Sequence, residues 1–222
     1  MKKLTIFLDL DGPLLDGKYR HYRCYCEVLK EFGIDPMPIE KYWEMKRNRC
    51  SRREQLAVTN SESSYQYFLD SWLELIESSE MLILDQVQPG ALEKLQVWKG
   101  EGICLVLVTM RKNKEALMEQ LQRIGLLPLL DDVIVSEHAT GGKGKSAAVR
   151  VKYSDDILRV ALWIGDTEVD FTASREIGCK ICLVSNGIRT SEFLSQLGPD
   201  WLYDSISDVN IVKLFGSCQD HR

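Results

Sequence analysis

The stretch Leu4-Thr5-Ile6-Phe7-Leu8-Asp9-Leu10-Asp11-Gly12-Pro13-Leu14 restricts the possible folds more than any other part of the chain. Its apolar start, with β-branched and aromatic members, reads as a strand buried on both faces. Two carboxylates follow at i and i+2, and Gly12-Pro13 then turns the chain. Acids at the C-terminal end of a buried strand add nothing to packing, whereas in an open parallel sheet that end is where ligands bind. Asp9 and Asp11 are expected on one side of an extended chain, because side chains repeat every second residue. The pattern predicts a metal- or phosphate-handling site built on the first strand.

The rest of the chain divides into two regimes. From Gly17 to about Leu84 the apolar positions keep helical spacing, as in Tyr22, Tyr25, Val28, Leu29 and Phe32, with Gly33 placed as a C-cap. Further helices are expected over 39–46, 51–58 and 61–76, and no strand pattern occurs between Asp16 and Gln86. Residues 17–85 thus read as an inserted helical unit, and 1–16 together with 86–222 as the core. From Pro89-Gly90 onward strands and helices alternate. Strands are expected at 103–108, 132–135, 160–164, 180–184 and 201–203. Helices are expected at 91–98, 114–124, 146–151 (after a glycine-rich loop over 141–145), up to about 177, at 191–196 and from 207. Alternation of this length predicts an α/β fold, a doubly wound parallel sheet of Rossmann-like form carrying an inserted all-helical domain.

Composition narrows the partners. With 222 residues the chain can bury a large core without a disulfide or metal staple, and its net charge of −5 argues against a general nucleic-acid binder. No apolar run approaches the roughly 20 residues of a membrane span. The basic start Met1-Lys2-Lys3 precedes an apolar run that Asp9 and Asp11 end too early for a secretory signal. Seven scattered cysteines, with Cys179 and Cys182 as a CxxC pair lacking a second pair, read as small core residues in a reducing, cytoplasmic setting.

Each expected central strand delivers polar chemistry at its C-terminal end. The first gives Asp9 and Asp11, the second Thr109, and the fourth Asp166 with Asp170, while the third leads to Lys143 and Lys145. In a parallel sheet these ends lie along one edge and can converge. Carboxylates gathered there repel, by about 4 kcal/mol for a pair ~4 Å apart at an effective dielectric of 20. Such a cluster calls for a cation, and oxygen ligands without His or Cys select a hard one, Mg²⁺ first. A hydroxyl and a lysine beside it suit an anionic phosphoryl group.

Asp9-Leu10-Asp11-Gly12-Pro13-Leu14, Val108-Thr109, the Lys145 region and Gly165-Asp166-Thr167-Glu168-Val169-Asp170 resemble, in order, the four motifs of the haloacid dehalogenase superfamily. The helical insert resembles that family's C1-type cap, as in its phosphatase-type, phosphoglycolate phosphatase-like members. The resemblance implies a role for each matching residue. Asp9 is the nucleophile, forming an aspartyl-phosphate. Asp11 protonates the leaving oxygen and later deprotonates water. The carboxylates of Asp9 and Asp166 and the backbone carbonyl of Asp11 ligate Mg²⁺. Asp170 supports that shell or orients the lysine. Thr109 and the Met110 amide hold the phosphoryl oxygens, and a lysine neutralises them. That lysine is Lys143 or Lys145, and the offset to Ala148-Val149 favours Lys145. An acid at position 11 favours phosphate-ester hydrolysis or transfer over C–Cl or C–P cleavage. The expected activity is hydrolysis of a small phosphorylated metabolite, with a phosphomutase or a non-catalytic binding protein of the same fold as alternatives.

Several residues fall outside these motifs. Pro13 stands where a threonine or serine is common, and its fixed φ suits the turn. The basic run over 46–53 reads as a solvated surface, or as the source of one arginine that grips an anionic part of the substrate. His21 and His138 are expected at exposed loop or cap positions. Tyr65, Tyr67, Phe68 and Trp72 are expected in the core of the helical unit.

Overall fold

The computed structural model describes residues 3–137 and 140–215. Strand β1 (Thr5–Leu8) carries the apolar run, and a short strand β2 (Leu15–Asp16) leaves the core. Five helices follow: α1 (Lys18–Glu31), α2 (Ile39–Arg47), α3 (Arg52–Ala57), α4 (Tyr65–Leu75) and α5 (Ser79–Leu82). Strand β3 (Gln86–Val87) returns the chain and pairs antiparallel with β2, Leu15 opposite Val87 and Asp16 opposite Gln86. The alternating segment then runs α6 (Ala91–Gly100), β4 (Cys104–Thr109), α7 (Lys114–Arg123), β5 (Asp132–Val135), α8 (Gly141–Lys152) and α9 (Asp155–Leu158). It ends with β6 (Leu162–Gly165), α10 (Glu168–Ile177), β7 (Lys180–Val184), α11 (Ser191–Gln196), β8 (Trp201–Tyr203) and α12 (Ile211–Phe215).

Six strands form one parallel sheet in the order β5-β4-β1-β6-β7-β8. The reversal of order at β1 places the opening strand at the centre, with Phe7 between Val106 of β4 and Trp163 of β6. Alternation along β1 splits the core in two. Ile6 and Leu8 pack with Leu95 of α6 and Leu117 and Leu121 of α7, whereas Phe7 packs with Val149 of α8 and Ala173 of α10. Both faces are covered by helices, so the central strands are apolar between their ends.

The helical unit has its own core of Tyr25, Val28, Leu29, Met37, Tyr42, Leu56 and Phe68, with Tyr25 and Tyr42 stacked at 4.8 Å. Ser51 caps α3 in a reciprocal box with Glu54. Two expectations need correction here. Tyr67 lies outside this core, half exposed, its ring edge-on to Phe32 and its hydroxyl donating to Glu31. His21 is buried, not exposed. His138 and Cys218 lie outside the described residues.

The segment over 141–145 is not a loop. It forms the first turn and a half of α8, because its glycines allow close packing and not chain flexibility. A Cβ on Gly142 would come within 2.5 Å of the Val169 carbonyl oxygen on α10. The strand expected at 160–164 begins at Leu162 instead, and the helix expected from 207 is a 3-10 turn over 206–208 followed by α12. Cys179 and Cys182 are buried, and the described cysteines are free thiols. No helix among the described residues is long and apolar enough to cross a membrane.

Candidate active site at the carboxyl edge of the sheet

The ends of β1, β6 and α8 meet at Asp9. The Asp9 amide donates to the Ile164 carbonyl at 2.9 Å, which holds the residue immediately beyond β1 against β6. Its carboxylate lies 2.7 Å from the Lys145 ammonium, which also donates to Asp170 at 2.8 Å. The register of α8 explains the choice between lysines: Lys145 faces inward with Ser146 and Val149 and is buried, whereas Lys143 is exposed. Asp170, on the first turn of α10, accepts from Lys145, from the Trp163 indole at 3.2 Å and from the Thr167 hydroxyl at 2.8 Å. Its oxygens are thus occupied in orienting the lysine.

Asp166 is fully buried, and only one of its oxygens has a donor. Oδ2 accepts from the Ile188 amide at 2.5 Å, and Oδ1 has no partner. Gly12, at φ +119°, and Gly187 lie so close that a Cβ on either would overlap this carboxylate. Oxygens of Asp9, Asp166 and Asp170 lie within 4.8 Å of one another. Three carboxylates against one ammonium leave the cluster net negative. Burial, reinforced by the charge of Asp170, pushes Asp9 up to about 7 despite the pull of Lys145. Burial and the charges of Asp9 and Asp170 hold Asp166 well above the usual carboxylate range. Lys145 moves the other way: burial opposes its charge, but Asp170 and Asp9 hold it above its ordinary value. An orphaned buried oxygen among oxygen-only donors in a negative cluster fits a hard divalent cation.

The Asp11 carboxylate does not join this cluster, although its charge still adds to the upward push on Asp9. Past the end of β1 the chain turns, with the Gly12 amide donating to the Leu15 carbonyl at 2.9 Å, so the alternation of an extended strand no longer holds. Arg111 donates to both Asp11 oxygens at 2.7 Å, and the Arg20 guanidinium donates to one of them. Asp85 completes the lattice, accepting from Arg20 at 2.7 Å, Arg111 at 3.1 Å and Gln120 at 2.8 Å. Burial opposes ionisation of Asp11, but Arg111 and Arg20 outweigh it and hold the carboxyl well below its usual range.

Neither arginine was among the expected site residues, though one left a legible mark. The buried positions of α1 are Arg20, His21, Cys24, Tyr25, Val28 and Leu29, a single helical stripe with a cation at an apolar position. Thr109 ends β4, buried, where its hydroxyl accepts from the Arg111 amide at 3.4 Å; Met110 follows, half-buried.

The basic run is a solvated surface only in part: Asn48, Arg49, Ser51 and Arg53 are exposed, whereas Lys46, Arg47 and Arg52 are half-buried. Arg47 donates to the carbonyls of Ser185 and Arg189 at 2.6 and 3.0 Å, and Arg189 donates back to the Lys46 carbonyl at 3.3 Å. Arg189 and Arg49 share Glu168, at 2.8 and 3.3 Å. These contacts hold the helical unit against the sheet edge beside Asp9 and Asp11.

A parallel α/β core with an acid beyond its first strand, a lysine clamped between two aspartates and an adjoining helical unit define a hydrolase-type site. Residues 6–184 match the model of the haloacid dehalogenase-like hydrolase family, and the chain belongs to that family. It is 24% identical over 210 residues to a phosphoglycolate phosphatase of Synechococcus elongatus, covering 92% of this chain and 94% of that one. A phosphoglycolate phosphatase of Cereibacter sphaeroides is 24% identical over 193 residues, covering 83% and 86%. Among solved structures, a haloacid dehalogenase-like family hydrolase from Streptococcus pneumoniae superimposes with a TM-score of 0.75 at 17% identity, covering 96% of this chain and 98% of that one.

Proposed function

We propose that the chain is a Mg²⁺-dependent phosphatase of small phosphate monoesters, with Asp9 as nucleophile and the helical unit as a cap over the site. The observation that carries this reading is Asp9 beside Lys145, with the unpartnered Asp166 oxygen facing the same space. Asp9, Asp166 and the Asp11 carbonyl would hold the cation, which when bound neutralises charge on the carboxylates and the phosphoryl oxygens. Asp9 attacks phosphorus, and the bond to the leaving oxygen breaks as the aspartyl-phosphate forms. Asp11 gives that oxygen a proton and takes one back from the water that releases inorganic phosphate. Lys145 and Thr109 spread the phosphoryl charge.

The arginine grip on Asp11 opposes an acid role, because a carboxyl held below its usual range carries no proton at neutral pH. Protonation therefore requires the grip to loosen. Arg20 rides on α1 of the cap, so cap movement can remove its share of the grip, while the two Arg111 bonds stay with the core.

The test is a panel of phosphate esters with Mg²⁺, assayed for inorganic phosphate. Wild type is expected to release phosphate stoichiometrically, and Asp9→Asn to lose at least about 10³-fold in kcat. Isomerised sugar phosphate without release would favour a mutase, and equal behaviour of wild type and Asp9→Asn would overturn the enzyme reading.

A further inference from the structure

Two glycine loops pinch Asp166, and one side chain ties them together. Gly12 lies on the turn after Asp11 and Gly187 on the loop after β7, and a Cβ on either would overlap the Asp166 carboxylate. The Gln88 carboxamide nitrogen donates to the Gly12 carbonyl at 2.9 Å and to the carbonyl of Asn186, the neighbour of Gly187, at 3.5 Å. One amide nitrogen carries two hydrogens, so it can serve both carbonyls at once.

The local sequence puts the amide there. Pro89 biases the residue before it toward extended backbone. Gln88 accordingly continues beyond β3, its own amide donating to the Leu14 carbonyl at 2.9 Å and its carbonyl accepting from the Ala91 amide at 3.0 Å. Its backbone is thus fixed on both sides, and its side chain is buried. Pro13 makes the turn dependent on that side chain. A proline contributes no N–H, so the Gly12–Pro13 peptide offers its carbonyl alone, and Gln88 takes it. The peptide before it joins the Asp11 carbonyl to the Gly12 amide, which donates to Leu15 at 2.9 Å. The turn is therefore held at two successive peptides, once from within and once from the returning strand. On the other loop the Ile188 amide donates to Asp166 Oδ2 at 2.5 Å, while Oδ1 has no partner. Gln88 also lines the small cavity bounded by Asp11, Gly12 and Ile188.

Resting on the phosphatase reading, in which Asp166 and the Asp11 carbonyl hold Mg²⁺, we propose that Gln88 is a positioning residue for that cation. It staples the Gly12 turn to the loop over 186–188, so that the Asp11 carbonyl and the Asp166 carboxylate are already in place before an ion arrives. Such preorganisation lowers the cost of gathering the ligands. Without the staple the turn keeps its Leu15 bond, but the two glycines can part and Asp166 gains room to rotate.

The experiment titrates Mg²⁺ alone into the metal-stripped protein by calorimetry. Gln88→Leu is expected to bind Mg²⁺ at least about tenfold more weakly than wild type. Gln55→Leu removes another buried amide, one that donates to the Cys50 carbonyl at 3.3 Å in the helical unit. It is expected to lower Tm and to leave Mg²⁺ affinity at the wild-type value. In turnover of a phosphate ester, Gln88→Leu needs about tenfold more Mg²⁺ for half-maximal rate, whereas kcat at saturating Mg²⁺ stays within about twofold of wild type. Gln88→Met, unbranched and of similar length, stands in if Gln88→Leu does not fold, with the same expectation. Unchanged Mg²⁺ affinity in the Gln88 variant overturns the proposal. So does an equal loss in Gln55→Leu, a kcat that saturating Mg²⁺ does not restore, or a wild type that binds no Mg²⁺. A wild type that binds Mg²⁺ but hydrolyses no ester fails the phosphatase reading instead, and the calorimetry still decides the staple.

Discussion

At the scale of single residues, the environment of each acid separates groups that look alike in the sequence. Asp9 and Asp11 stand two residues apart, yet one faces Lys145 and the other two arginines. Their electrostatics diverge accordingly, Asp9 pushed up to about 7 and Asp11 held below its usual range. The sign of the linkage is fixed by that depression. A carboxyl held low in the fold stabilises it above the unfolded value of about 3.9, and this contribution is lost as pH falls toward the folded value. Asp11→Asn is expected to cost about 2 kcal/mol at pH 7, with the deficit shrinking steadily below about pH 4. Denaturant melts at several pH values measure it, and a gap independent of pH would contradict the assignment. The motif residues were legible because strand ends announce themselves. Arg111 and Asp85 were not, because partners 26 residues apart meet only after folding.

At the scale of elements, the helix pair α8–α10 sets the position of Lys145. Gly142 lets the two backbones approach, and the register of α8 then aims Lys145 at Asp9 and Asp170. Gly142→Ala is expected to cost about 1–3 kcal/mol through overpacking and to impair activity by displacing Lys145. Gly100→Ala, at a helix end where an added Cβ meets nothing within 4 Å, serves as the control and is expected to be neutral or mildly stabilising. Thermal midpoints of the two variants give the comparison. The six strands of the parallel sheet were legible to within two residues because apolar runs stop where burial stops, whereas the two-residue strands β2 and β3 are too short to show a pattern and were missed. The glycine-rich segment was misread as a loop because glycine signals both flexibility and close packing, and only the neighbouring helix distinguishes them.

At the scale of the whole molecule, two connections govern how the helical unit sits on the core. The β2–β3 ladder ties the outgoing and returning chains, with the Gln88 side chain donating to the Gly12 carbonyl at 2.9 Å. The Arg47 side chain also donates to the Ser185 and Arg189 carbonyls, and the Arg189 side chain to the Lys46 carbonyl. Arg47→Ala removes the Ser185 and Arg189 contacts, at about 1 kcal/mol and a drop in Tm of about 2–4 °C. Faster proteolysis between the units and changes in both kcat and KM are expected. Unchanged proteolysis and kinetics would mean that these contacts do not govern closure.

The amino-acid sequence by itself determined the α/β class, the order of the elements and the four strand-end motifs. Burial on both sheet faces forces apolar runs, and the places where those runs give way to acids are visible in one dimension. The tertiary structure decided which groups those acids meet. Asp9 lies with Lys145, Asp166 and Asp170, whereas Asp11 is drawn to Arg20 and Arg111, and part of the basic run turns inward to Trp72 and the core. Electrostatic partnership depends on distance and dielectric, and neither exists until the chain has closed on itself. The opening stretch names the acids, and the packing around it determines what charge each one carries.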